Sequence, residues 1–159
     1  MLILLWLLCV PIVMTDLIAR RIPNVWLIGV VAPTLVWVGW RAWQTGPQVL
    51  WVHGLGAVIG LLVLLPFWWR GVMAAGDVKL FAVIGLIAGY PVLLPVWCLA
   101  SVAAGVHALI LLTGRLKGLA RWRGRLAQSR AWQRILQWRA GRVGLPYGAY
   151  LAAAALVVR

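Results

Sequence analysis

Acidic side chains are almost missing from this chain. Asp16 and Asp77 are the only two in 159 residues, and there is no glutamate. Typical composition would supply roughly 20. Cysteine is scarce too: Cys9 and Cys98 both lie inside apolar runs with no CxxC pair, which excludes a cysteine-ligated zinc site on spacing and leaves them as small buried hydrophobes. Histidine occurs only at positions 53 and 107. With so few candidate ligands no metal cluster is plausible, and neither a metal nor another cofactor is expected.

Apolar residues fill the space. They make up 65% of the chain, with a mean hydropathy of +0.99. Soluble domains hold about 45–50%, and a globule of this length cannot bury the excess, so the solvent must be lipid. The length allows a single small membrane domain, residues 1–159. Six apolar segments stand out: Leu2 to about Thr15, Val25 to about Trp40, Val49–Trp69, about Val72 to Gly89, Val92–Thr113 and Val143–Val158. A span needs about 20 residues. The first, second and sixth segments are short and borrow flanking residues, with Arg20, Arg41 and Arg142 able to snorkel. An all-α, polytopic bundle of about six transmembrane helices is the expected fold. Leu2–Val13 has the length of a signal-peptide core, but no basic stretch precedes it and no small-x-small site follows, so it reads as a retained helix.

The net charge of +13 comes from 15 Lys and Arg. These lie between apolar runs rather than on one soluble face, so nucleic acid is not the expected partner. They read instead as topology signals. Arg20, Arg21, Arg70, Lys79 and nine residues within Arg115–Arg142 fall on one side, and Arg41 and Arg159 on the other. The positive-inside rule then puts both termini outside and both aspartates toward the cytoplasm. In the basic stretch 114–142, Leu119, Trp122, Leu126, Trp132 and Leu136 recur at roughly helical spacing between arginines. That pattern predicts an amphipathic cytoplasmic helix lying in the headgroup layer, with Arg115–Arg142 drawn to anionic lipid. Two GxxxG runs, Gly56–Gly60 and Gly85–Gly89, fit closely packed helices.

Both aspartates are set against apolar segments, in Thr15-Asp16-Leu17-Ile18 and Ala75-Gly76-Asp77-Val78. A carboxylate at such a depth costs a few kcal/mol and calls for a compensating role. Asp77 could cap a helix and Asp16 could pair with Arg20 one turn on, but separate local roles leave their shared depth unexplained. Two carboxyls facing each other in low dielectric cannot both ionise, so one holds a proton that the other lacks. The ionised group can take a proton from water as that water attacks a peptide carbonyl, while the protonated group donates to the developing oxyanion. The pair works as a unit, and neither role belongs to one residue. His53 at the end of segment three reads as a boundary residue, and His107 as a bond to a neighbouring helix. Lys79 either snorkels or tunes the pair.

Asp16-Leu-Ile-Ala-Arg-Arg-Ile-Pro-Asn24, followed by Gly-Asp-Val-Lys at 76–79, resembles the type IV prepilin peptidases, membrane aspartic proteases with a GxGD motif. The short length and the closing Leu-Pro-Tyr-Gly at 145–148 are similar to the small peptidases of the Tad/Flp pilus branch. The resemblance implies that Asp16 and Asp77 are the catalytic pair, with Gly76, Lys79, Pro23 and Asn24 in supporting positions. It implies a prepilin substrate, cut after its short basic leader at the cytoplasmic face of the bacterial inner membrane, in the service of type IV pilus assembly. Larger members also N-methylate the new terminus and carry a cysteine-rich loop that is absent here. Where the motif has its first glycine this chain has Ala74; if that position needs a positive φ, alanine costs about 1–2 kcal/mol. Two other classes compete with the protease: a proton-coupled transporter, because carboxylates also relay protons, and a catalytically silent subunit of a pilus or secretion machine.

Overall fold

The computed structural model describes residues 1–113 and 145–158. Their regular structure is helical: α1 (Leu2–Ala19), α2 (Asn24–Thr45), α3 (Gln48–Trp69), α4 (Ala75–Ala88), a 3₁₀ turn at Tyr90–Val92, α5 (Leu93–Thr113) and α6 (Tyr147–Val158). The expected basic amphipathic helix over 114–142 lies outside the described residues. Four helices (α1, α2, α3 and the run from Tyr90 through α5) are long and apolar enough to cross a membrane. The protein is thus an all-α membrane bundle. At 1.5 Å per residue, the 22 residues of α2 and of α3 reach about 33 Å, enough for a hydrocarbon core of about 30 Å. The 14 residues of α4 and 12 of α6 reach only about 21 and 18 Å.

The two short helices are the heart of the molecule. Helix α4 touches all five others, and α6 packs against α1, α4 and α5. Nine of the 14 residues of α4 are buried, from Asp77 through Ala88, so it is enclosed on most of its circumference. The long helices each bury one stripe: Leu5, Leu8, Cys9, Ile12 and Asp16 on α1; Leu27, Val30, Thr34 and Val38 on α2; His53, Gly56, Gly60 and Leu64 on α3. These spacings of three and four follow one helix face. Many of the remaining large apolar residues are exposed on the outside of the bundle, where a membrane protein meets lipid.

Helix α4 leans on α3 backbone to backbone. A Cβ at Gly56 would overlap the Gly85 carbonyl, and one at Gly60 would sit 2.8 Å from the Phe81 oxygen. Three of the four GxxxG glycines therefore make this contact, as small residues do in membranes. Gly89 does something else: at φ 85° it ends α4, its N–H bonding back to the Gly85 oxygen. Near the same end, His53 Nδ1 bonds the Leu86 oxygen at 2.8 Å and ties α3 to α4 again. Exposed tryptophans mark both ends of the α2–α3 hairpin, with Trp26, Trp68 and Trp69 at one and Trp40, Trp43 and Trp51 at the other. Indoles prefer these membrane–water boundaries, and the first trio shares its end with Arg20, Arg21 and Arg70.

Candidate active site

Asp16 lies in the last turn of α1, which extends to Ala19, beyond the segment boundary drawn from hydropathy. The helix closes at Arg20, the one described non-glycine residue with positive φ (51°), whose N–H returns to the Asp16 carbonyl at 3.1 Å. The chain then turns through Ile22 and Pro23 into α2, which starts at Asn24. Asp77 is the third residue of α4 rather than its cap. Ala74 occupies the cap position, with φ −74° and ψ 146°. That extended conformation suits any residue, so alanine in place of the motif glycine is unstrained. From the third position the Asp77 carboxyl reaches back to the Ala74 N–H, a carboxylate at a helix start taking up a free amide.

The two aspartates come from different helices and meet at the start of a third. The Ala149 N–H donates to Asp16 Oδ2 at 2.8 Å. The Gly148 N–H is a backbone partner of the Asp77 carboxyl. A Cβ at Gly148 would lie 2.8 Å from Asp77 Oδ1 and 3.1 Å from Asp16 Oδ2. Those two oxygens are therefore no more than about 6 Å apart, within the range where carboxyl charges feel each other. Both residues are buried, at 6% and 7% exposure. Two buried carboxyls of like charge are tolerable only with compensation, and the first turn of α6 supplies it through free amides and the positive end of the helix dipole. Helix α6 has no acidic residue of its own in that turn, so these carboxylates satisfy amides that would otherwise need caps.

Around this centre Ile22 fills the gap between Gly76 and Gly148. Its Cβ is 3.3 Å from where a Cβ on Gly76 would stand, and its Cδ1 is 2.7 Å from the same position on Gly148. Tyr147, electrostatically linked to Asp77, shares a 3.0 Å hydrogen bond with Ser101 of α5. Tyr150 lies near Asp16, and its hydroxyl pairs with His107 Nδ1, the bond to a neighbouring helix that the sequence reading anticipated. Arg20 interacts with Asp16 through its charge.

Of the supporting positions, Gly76 lies against Ile22 and is half-buried, Pro23 is half-buried in the turn before α2, and Asn24 is exposed at the start of that helix. Lys79 is exposed on α4, two residues or about 200° around the helix from buried Asp77, so it faces away from the pair. Gly148, Ala149 and Ile22 were not assigned roles from sequence. The available signal was a Pro-Tyr-Gly start to a helix lacking an acidic cap, in a chain with only two acids to offer. Among the described residues no group of three or more His, Cys, Asp or Glu side chains is placed to hold a metal.

Residues 1–109 match the family model of the type IV leader peptidase family. More than half of the chain is covered, and the chain belongs to that family, whose members are peptidases. Searches of curated proteins and of solved structures each returned no match.

Proposed function

We propose that the chain is an aspartic endopeptidase that cleaves the short basic leader of a prepilin at the cytoplasmic face of the bacterial inner membrane, with Asp16 and Asp77 as the catalytic pair. One observation carries the reading: the only two acidic residues of the protein, on separate helices, converge within about 6 Å on two successive amides of a third helix. Local capping would explain one aspartate, not this convergence.

A water held between two oxygens this close can hydrogen-bond both. The ionised carboxyl removes its proton as the water oxygen adds to the scissile carbonyl carbon. The other carboxyl gives its proton to the carbonyl oxygen, forming the tetrahedral intermediate. The first carboxyl then passes its proton to the leaving nitrogen, the C–N bond breaks, and the remaining hydroxyl proton returns to the second. Low dielectric strengthens each transfer by excluding competing water.

The test is Asp16→Asn and Asp77→Asn, each co-expressed with a prepilin. Asparagine keeps the shape but cannot carry the proton, so each variant should lose about 100- to 10,000-fold in cleavage rate while still inserting and accumulating. The double variant should be no worse than either single one, because the pair acts as a unit. Lys79→Ala, on the opposite face, should cost far less. Near-normal cleavage by either Asn variant would return that aspartate to a structural role; a wild-type chain that cleaves no prepilin would point to the silent-subunit alternative.

A further inference from the structure

We infer that the peptide unit joining Gly148 to Ala149 sets the spacing of the aspartate pair, and that Gly148 is a positioning residue required for its lack of a side chain. This rests on the catalytic reading of Asp16 and Asp77, but Gly148 and Ala149 lie outside the matched stretch 1–109. The Gly148 amide serves Asp77 and the Ala149 amide serves Asp16. Consecutive amides in the first turn of a helix are rigidly related, so two carboxyls bound to them inherit a fixed separation. Helices α1 and α4 alone offer no such ruler, since each positions only one of the two groups.

Gly148 has an ordinary backbone conformation, because positive φ occurs only at Gly46, Gly71 and Gly89 among the described glycines. Its need is steric. A Cβ there would press on Asp77 Oδ1 at 2.8 Å, Asp16 Oδ2 at 3.1 Å and Ile22 Cδ1 at 2.7 Å. All three are ends of side chains, so the helix survives and the carboxyls yield. Helix propensity favours alanine over glycine, which makes a loss on substitution hard to assign to fraying of α6.

The chain suits a direct measurement. Aspartate labelled with ¹³C at the side-chain carboxyl gives two signals only, since there are two aspartates. Among the described residues, Arg20, Tyr147 and Tyr150 are charged or titratable groups that act on the pair, and none carries label. In the full-length protein in lipid nanodiscs, the two carboxyls should titrate in well-separated steps, as a coupled pair does. In Gly148→Ala the steps should draw together as the carboxyls part. With prepilin as substrate, kcat should fall more than about tenfold while KM stays within about twofold, because the substrate's own contacts are untouched. Adding Ile22→Val, which removes the Cδ1 atom the new methyl meets, should not restore cleavage.

Unchanged titration in Gly148→Ala overturns the inference. So does recovery of cleavage with Ile22→Val, which would make Gly148 a packing contact for Ile22. If Gly148→Ala does not accumulate, Ala149→Pro carries the same test, since it deletes the amide that holds Asp16 at a first-turn position with no intrahelical acceptor. It too should narrow the separation, and unchanged steps would refute the ruler. A chain that shows coupled titration but cleaves no prepilin would fail the functional proposal and leave the positioning result standing.

Discussion

Replacing Gly56 by alanine should destabilise the protein far more than one added methyl ordinarily does. The new Cβ would overlap the Gly85 carbonyl and stand 2.8 Å from the Gly85 carbonyl carbon and 2.9 Å from the Tyr90 nitrogen. All of these are backbone atoms, which cannot rotate aside. Carbon contacts are comfortable at about 3.5–4.0 Å, so α3 and α4 must separate by about an ångström along much of their shared length. Overpacking a side-chain core costs typically 1–3 kcal/mol; with two backbones in opposition and the largest helix pair of the bundle affected, a loss of about 3 kcal/mol is expected. Gly54, two residues earlier on the same helix, provides the control, because a Cβ there meets nothing within 4 Å. Gly54→Ala should be neutral or stabilise by about 0.5–1 kcal/mol through helix propensity. The assay is reversible unfolding in mixed detergent micelles, comparing the two variants with the parent. Cleavage should fall with stability in Gly56→Ala, because α4 carries Asp77. Equal stability of the two variants would refute the close α3–α4 contact.

Two further outcomes follow from backbone geometry and charge. Ala74→Gly, which supplies the glycine that the resemblance to a GxGD motif leads one to expect, should not raise cleavage and should slightly lower stability, since Ala74 has φ −74° and alanine is unstrained there; a several-fold gain in rate would mean that the working conformation differs. Reporter fusions after Gly46 and after Pro91 should read external, and fusions after Pro23 and within Arg121–Arg134 cytoplasmic, as the distribution of arginine predicts. Inversion of any one of them would remove the cytoplasmic placement of the pair.

The candidate pair was legible in the sequence because it depends on scarcity. In a chain whose solvent is lipid, a carboxylate is expensive wherever it is placed, so the two that persist single themselves out without any knowledge of the fold. The helices were legible for the same reason: an apolar run in lipid must satisfy its own backbone, and six segments became six described helices with ends shifted by a few residues. The end shifts mattered at Asp16, which sits within α1, and at Asp77, which sits three residues into α4 rather than capping it.

Which face of each helix turns inward was not legible. In water an amphipathic stripe betrays the core, whereas here lipid and core are equally apolar, and the buried stripes mix leucine and valine with small or polar residues such as Gly56, Gly60, Thr34 and His53. Hydropathy could not show that α4, the least span-like of the first five helices, is the one packed against every other described helix. Nor could it bring Gly148 to residues 132 and 71 positions away in the chain, because contacts over such separations are fixed by how helices pack and not by any local preference. That this is a helical membrane protein with two carboxyls available for chemistry follows from composition and order along the chain, since the cost of burying charge and backbone is set residue by residue. That those carboxyls meet, and meet on the first turn of α6, follows from packing alone, because a separation of a few ångströms between three helices is a property of how they sit together.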